Sequence, residues 1–309
     1  MARTVVRAGA VDIGTNTVRL LVADVEEGSL TDVERTVEIV GLGRGVDATR
    51  HLDPERVEHA IAILMAYRDR LRGHRPERIR AVATSATRDA ADGEAFLERA
   101  TAALGIRPEL ITGIEEAALA FRGATEGLPG ETPTLVIDPG GGSTEFVFGR
   151  ERPEYTVTID IGSVRLTERL LPERPAAPDR VGAVAAEVAE MFAVVRLPSM
   201  PARVVGVAGT FTSLAAIALG LTAYDRDLVH GSALPLEELD RLVEHLSGLT
   251  VEETAAIPSL DPKRAPVLLG GAIVAREAVR VSGLEQALVS ESDLLDGIVL
   301  ELTTIDGVG

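Results

Sequence analysis

Two glycine loops, each set between short apolar runs, constrain this chain more than any other feature. The first, Asp12-Ile13-Gly14-Thr15-Asn16-Thr17, joins the run Val6 to Ile13 to the run Val18 to Val25, and Glu27-Gly28-Ser29 separates these from Val33 to Val40. The second, Asp138-Pro139-Gly140-Gly141-Gly142-Ser143-Thr144-Glu145, lies between Thr134 to Ile137 and Thr144 to Phe148, with Tyr155 to Ile161 following. Short apolar runs broken by turn residues predict strands. Each loop is therefore read as the turn of a hairpin that opens a set of three antiparallel strands.

Behind each set the pattern changes to alternating helices and strands. In the first half, Asp53-Pro54-Glu55 reads as an N-cap with Pro at the first helical position, and Val57, Ile61, Leu64, Met65 and Leu71 share one helical face. A buried strand, Ile79 to Ala83, feeds Thr84-Ser85-Ala86-Thr87-Arg88; a helix to Leu104, a strand at Leu110-Ile111 and a helix from Glu115 to Gly123 follow. In the second half, helices at Val164 to Leu171 and Val181 to Val195 precede a strand at Val204 to Val207, which runs through Gly209-Thr210 into the helix Thr212 to Leu219. Helices from Pro235 and from Pro266 to Val281, a strand at Ala287 to Val289 and a helix from Leu294 to Leu302 complete it. One scheme thus occurs twice with little residue identity, which predicts a duplicated α/β fold with a cleft between the copies. The expected domains are 1–126 and 127–309, with the last helix either completing the second or packing back on the first. Gly127 to Pro133 is the expected linker.

Composition excludes several functions. There is no Cys, so disulfides, thiolate metal sites and a Cys nucleophile are ruled out. The five His residues form no close-spaced ligand motif, and His51 and His59 read as solvated surface. Any metal is expected to be a hard, oxygen-bound cation such as Mg²⁺, with Mn²⁺ as the alternative. A net charge of −17 argues against nucleic-acid and anionic-membrane partners, and aromatics at 3% argue against stacking platforms for single strands. No signal pattern and no spanning apolar stretch is read, so a cytoplasmic location is expected. Of the basic residues only Lys263 is Lys; Arg is the side chain suited to bidentate phosphate contacts.

The glycine loops carry the chemistry. Gly14 lets backbone N–H groups approach a phosphate, and Thr15, Asn16 and Thr17 add donors. By itself this loop reads equally as a polar hairpin turn. Gly140, Gly141 and Gly142 cost chain entropy that a plain turn does not require, and Ser143 and Thr144 add hydroxyls. Two such loops at matched topological places predict a phosphate clamp. Asp12, Asp138 and Glu145 are then candidate Mg²⁺ carboxylates. The competing reading of Glu145 is an outward charge on a strand.

These loops, together with Ala83-Thr84-Ser85-Ala86-Thr87-Arg88-Asp89-Ala90, Thr112-Gly113-Ile114-Glu115-Glu116-Ala117 and Gly162-Ser163-Val164-Arg165-Leu166 in that order, resemble the exopolyphosphatase/guanosine pentaphosphate phosphatase (Ppx/GppA) family. Gly206-Val207-Ala208-Gly209-Thr210 and Ser290 to Gly297 are weaker matches. The resemblance implies two actin-like (ASKHA, ribonuclease H-like) domains. It implies Glu116 as the catalytic base, with Glu115 better suited to the helix dipole. It further implies Arg88 and Arg165 as phosphate contacts, Gly209 and Thr210 on the phosphate side, Asp138 and Glu145 at Mg²⁺, and a homodimer. Pro139 departs from the family pattern and is expected to stiffen its loop. Because the sequence ends soon after Asp296-Gly297, the helical domains of longer members are not expected, and a preference for short chains is.

The expected activity is Mg²⁺-dependent release of terminal phosphate from inorganic polyphosphate. Hydrolysis of guanosine pentaphosphate, or recognition of other nucleotides, by the same residues is the nearest alternative. An ATP-dependent phosphotransferase of the sugar-kinase type is more remote, since no separate sugar-binding signature is present; a non-catalytic nucleotide-binding assembly module is more remote still.

Overall fold

The computed structural model describes residues 5–128 and 131–304. Pro129 and Gly130, inside the expected linker, lie outside the described residues. The chain forms two compact units, one comprising Met1–Leu128 with Ser292–Gly309, the other Pro129–Glu291. The C-terminal helix Leu294–Thr304 therefore belongs to the first unit.

The first unit is built on a sheet of β1 (Val6–Ile13), β2 (Thr17–Glu26), β3 (Ser29–Ile39), β4 (Arg78–Ala83) and β5 (Glu109–Leu110), in the order β3-β2-β1-β4-β5. β1 to β3 are antiparallel, whereas β4 and β5 run parallel to β1. Side chains alternate between the faces of a strand, and β1 is buried on both. Val11 and Ile13 share a core with Leu64, Tyr67 and Leu71 of helix Pro54–His74 and with Phe96 and Leu97 of helix Gly93–Leu104. Ala8 and Ala10 share the opposite core with Leu119 of helix Gly113–Thr125 and with Leu294, Leu295, Ile298 and Val299 of the C-terminal helix.

Those last two helices cross with their backbones in contact. A Cβ on Gly123 would lie 2.8 Å from the Asp293 carbonyl carbon and 2.9 Å from Gly297 N. One on Gly297 would lie 2.7 Å from the Leu119 carbonyl carbon. Both glycines are therefore required by close approach and not by a turn.

The second unit repeats the arrangement. Its strands are β6 (Thr134–Pro139), β7 (Thr144–Gly149), β8 (Pro153–Ile159), β9 (Arg203–Gly206), β10 (Ala233–Pro235) and β11 (Gln286–Val289), ordered β10-β11-β9-β6-β7-β8. With β10 set aside, β8-β7-β6-β9-β11 matches β3-β2-β1-β4-β5 in order and direction. β10 is an addition not expected from the sequence, in which Pro235 reads as the opening of a helix. Pro235 instead ends an edge strand, where a missing N–H is tolerated, and the helix Leu236–Ser247 begins one residue later. Phe146 meets the edge of Phe192 at 5.0 Å between centroids. Helix Ala265–Ser282 is buried nearly all round, in keeping with its apolar composition.

Four short helices, Val46–Thr49, Ser85–Asp89, Arg226–Val229 and Val251–Ala255, are not expected from the sequence; four or five residues carry too little periodicity to register. Among the described residues no helix is long and apolar enough to cross a membrane. His51 and His59 are exposed.

Candidate active site

In the first unit, the candidate residues lie at the carboxyl ends of three neighbouring parallel strands. This is where open α/β sheets place ligands. Asp12 is near the end of β1, Thr84 to Arg88 follow β4, and Thr112 to Glu116 follow β5. Hydrogen bonds tie the three segments together. Thr84 N donates to Ile13 O (3.2 Å) and Ile111 N to Ala83 O (3.1 Å). The Thr15 and Ser85 hydroxyls meet at 2.7 Å, both buried. The Arg88 Nη1 donates to the Ile111 carbonyl (3.0 Å), so Arg88 is anchored on the segment that leads into the Glu116 helix.

Gly14 itself is tied into the hairpin turn. Its N–H donates to Thr17 O at 2.9 Å within the hairpin, and a Cβ there would lie 3.1 Å from that same oxygen. Gly14 thus closes the turn that carries Thr15, Asn16 and Thr17. A second loop, Gly41-Leu42-Gly43-Arg44-Gly45, braces the turn: Val40 N and Gly41 N donate to Asn16 O (both 2.9 Å), and Gly43 N donates to Thr15 O (2.8 Å). Gly41 and Gly45 adopt φ of 68° and 75°, and a Cβ on Gly43 would collide with the Thr15 side chain. This loop was not singled out from the sequence, although three glycines in five residues were available as a signal.

The two adjacent glutamates divide their work. Glu115 forms a capping box with Thr112: its Oε2 accepts from Thr112 N and Oγ1, both at 2.8 Å, and its own N–H donates to Thr112 Oγ1 at 3.2 Å. The backbone hydrogen bond from Thr112, then the hydroxyl one, holds the Glu115 carboxyl below the usual carboxylate range. Glu116 is the next residue, partly buried on the first turn of the same helix.

In the second unit, Asp138 and Glu145 sit directly opposite each other in the β6–β7 ladder, and both are buried. Glu145 is 1% exposed, so the reading of an outward strand charge does not hold. The glycine loop between them is pinned to the start of helix Ser163–Leu170. The Gly140 carbonyl accepts from Ser163 N (2.9 Å), and the Gly141 carbonyl accepts from Val164 N (2.9 Å) and Arg165 N (3.2 Å). A Cβ on Gly162 would lie 2.6 Å from both of those carbonyl oxygens, so the contact requires glycine there. Thr144 donates its hydroxyl to Ile161 O at 2.6 Å, and Thr210 to Pro139 O at 3.2 Å. These hydroxyls fix the loop's shape. Ser143 and Arg165 are buried close by in sequence, and Arg165 stands 3.7 Å from Asp160. At the end of β9, Ala208 takes φ of 64°, a left-handed conformation that is unfavourable for alanine, beside Gly209, over which the Arg264 guanidinium packs.

The fit to Mg²⁺ can be judged from the carboxylates. Among the described residues no three His, Asp or Glu side chains form a ready-made metal cage. Mg²⁺ characteristically keeps several waters and takes one or two carboxylates plus substrate phosphate oxygens. Two arrangements suit that habit. Asp138 and Glu145 are buried carboxylates directly opposite each other in one ladder, a pair of oxygen donors of the kind Mg²⁺ takes. Asp12 is 2% exposed, and its buried Oδ1 has no hydrogen-bond partner. Burial raises the Asp12 carboxyl above its ordinary range against the opposing pull of Arg19, with the Asp293 charge adding to the rise.

Arg19 and Asp293 were not among the residues singled out. The guanidinium of Arg19 donates to Asp12 Oδ2 through Nε at 2.8 Å, with Nη2 in ion-pair contact with the same oxygen at 2.8 Å, and donates through Nη1 to Asp293 Oδ2. The hairpin register carried the signal for the first contact, because Ile13 pairing with Val18 sets Asp12 opposite Arg19.

Comparison with known proteins agrees with this architecture. The sequence profile of the Ppx/GppA phosphatase family matches residues 21–304. The chain is 42% identical to Exopolyphosphatase 2 of Mycobacterium tuberculosis, over 96% of this chain and 98% of that one. The crystal structure of the Aquifex aeolicus Ppx/GppA family member superposes with a TM-score of 0.86 at 29% identity, covering 99% of this chain and all of that one. An exopolyphosphatase from Cytophaga hutchinsonii superposes with a TM-score of 0.86 at 26% identity, covering 98% and 99%. The fold is the two-domain actin-like α/β fold of these proteins. By profile, near full-length identity and fold, the chain belongs to the Ppx/GppA phosphatase family.

Proposed function

We propose that this phosphatase is an Mg²⁺-dependent exopolyphosphatase that removes the terminal phosphate of short inorganic polyphosphate, with Glu116 activating the attacking water. That it is a phosphoanhydride hydrolase follows from the family and from 42% identity to an exopolyphosphatase along almost its whole length. The observation that carries the finer reading is the division between Glu115 and Glu116. Glu115 is consumed by the helix cap. Glu116, partly buried on the same first turn, is the carboxylate to which the family resemblance gives the part of orienting a water and taking its proton.

Within the first unit, Arg88 keeps Nη1 on the Ile111 carbonyl and offers its remaining N–H donors to phosphate oxygens. Thr15, Asn16 and Thr17 add polar groups on a turn held by the 41–45 loop. Within the second unit, the loop Gly140 to Ser143, its shape fixed through Gly162, Thr144 and Thr210, presents backbone to phosphate, and Arg165 adds charge. The carboxylates proposed for Mg²⁺, or Mn²⁺ in its place, are Asp12 within the first unit and Asp138 and Glu145 within the second. The metal, when bound, neutralises charge developing on the transferred phosphoryl group. A cytoplasmic homodimer belongs to the same proposal; light scattering on the purified protein reads the dimer.

The test is phosphate release from polyphosphates of graded length in Mg²⁺, beside guanosine pentaphosphate and ATP. Faster turnover of short polyphosphate supports the reading. Preference for guanosine pentaphosphate would replace it with the nucleotide phosphohydrolase reading, and transfer to an acceptor other than water would replace it with a phosphotransferase.

A further inference from the structure

The polar contacts of Arg19 extend well beyond the Asp12 side chain. Its Nη1 bond to Asp293 Oδ2 links β2 to the start of the C-terminal helix. Asp293 caps that helix, its Oδ1 accepting from Leu295 N at 3.1 Å, while Asp296 Oδ2 accepts from Asp293 N at 2.9 Å. Asp296 in turn is held by Arg35 at 2.6 and 3.1 Å, and Arg35 by Asp32 at 2.8 and 3.1 Å. In this connected set two carboxylates, Asp12 and Asp293, share the one guanidinium of Arg19. At the Asp12 end the only oxygen of that residue without a partner is Oδ1, and it is buried.

We propose that Arg19 is a positioning residue for Asp12: by gripping Oδ2 it leaves Oδ1 as the oxygen offered to the divalent cation, and Asp293 keeps Arg19 from neutralising Asp12. The inference rests on the reading of Asp12 as a metal carboxylate and specifies how that carboxylate is held. The geometry explains why one carboxylate oxygen is held by two nitrogens of Arg19 while the other has no hydrogen-bond partner. It also explains why a second carboxylate is drawn onto the same guanidinium. A guanidinium serving Asp12 alone would form a closed ion pair and compete with a metal. Shared with Asp293, it orients Asp12 and leaves charge for a cation. Partners of this kind, one bond removed from a metal ligand, typically alter metal affinity by about 10- to 100-fold when mutated.

The experiment measures Mn²⁺ affinity of the full-length protein by electron paramagnetic resonance, with Mn²⁺ as the sole ligand, in the wild type and in Asp12→Asn, Asp293→Asn and Arg19→Lys. Asp293→Asn retains an acceptor for Leu295 N and so preserves the helix cap, while its lost charge lets Arg19 pair with Asp12 alone. Its Mn²⁺ affinity is expected to fall about tenfold or more. Arg19→Lys keeps the charge but loses the planar fork, and a fall of several-fold is expected. A purely structural role would lower the melting temperature of either variant without moving Mn²⁺ affinity. Wild-type affinity in both, with Asp12→Asn deficient, overturns the positioning role alone. Wild-type affinity in Asp12→Asn overturns the reading of Asp12 itself, and the inference with it.

Discussion

Substituting Gly297 by Ala tests how the first unit holds its candidate base. The added Cβ would stand 2.7 Å from the Leu119 carbonyl carbon and 3.1 Å from Leu119 Cα, with the carbonyl oxygen nearer still. Carbon–carbon contacts relax at roughly 3.5–4.0 Å. The C-terminal helix and helix Gly113–Thr125 must therefore part by about 1 Å, because the obstructing atoms are backbone and no rotamer change removes them. Overpacking of this kind costs about 1–3 kcal/mol. We place Gly297→Ala near the upper end, about 3 kcal/mol. The helix displaced is the one that begins at Gly113 and carries Glu116. A misplacement of about 1 Å can cost on the order of 100-fold in rate. Denaturant unfolding followed by far-UV circular dichroism, with phosphate release on the same preparation, reads both effects. Gly182→Ala is the control: Gly182 lies within helix Pro178–Phe192 with open space where a Cβ would be, and a gain of about 0.5–1 kcal/mol is expected. Loss of less than about 0.5 kcal/mol in Gly297→Ala, with an unchanged rate, would refute the crossing argument.

Other substitutions probe other parts of the account. Arg88→Gln removes a charge-assisted phosphate contact, worth about 1.5–3 kcal/mol, and is expected to raise KM by about 10- to 100-fold in steady-state assays. Ala208→Gly relieves a left-handed alanine at the end of β9; a gain of up to about 1 kcal/mol in denaturant unfolding is expected, and a loss would contradict the strain. Burial pushes the Glu34 carboxyl up, but the hydrogen bond and charge of His74 and Arg70 outweigh it and hold the group below its ordinary value. A depressed carboxyl stabilises the fold above its unfolded pKa of about 4.5, and that contribution is lost as pH falls through the folded value. Glu34→Gln should thus be less stable than wild type at pH 7, by no more than about 1 kcal/mol. The gap should close below about pH 4 in melting curves taken across pH.

The parts of the fold that were legible in the sequence are those set by local pattern. β1, β2, β6 and β7 announce themselves as apolar runs around two glycine loops, and Asp53-Pro54 announces the helix it caps. Glu115 reads as the glutamate suited to the helix start, and the structure sets it there in a capping box with Thr112. What escaped is mostly non-local. Nothing near Gly14 reveals that its N–H is taken by Thr17 O, because the motif is compatible with both an open and a closed turn. Asp293 meets Arg19 across 274 positions of sequence, a distance over which spacing carries no information. Gly123 and Gly297 left one unread clue: a glycine inside a helical pattern costs about 1 kcal/mol and needs a reason, here a backbone crossing. β10 was hidden by Pro235, a residue that marks an edge strand as well as a helix start.

The central claim is that a water activated by Glu116 cleaves the terminal phosphoanhydride of polyphosphate. Phosphate release from short polyphosphate in Mg²⁺, measured for the wild type and Glu116→Gln side by side, tests it most directly. The account predicts rapid release by the wild type and a fall of about 10²–10⁴-fold in kcat for the variant, with an unchanged circular dichroism spectrum. Glu116→Gln releasing phosphate at the wild-type rate would contradict it.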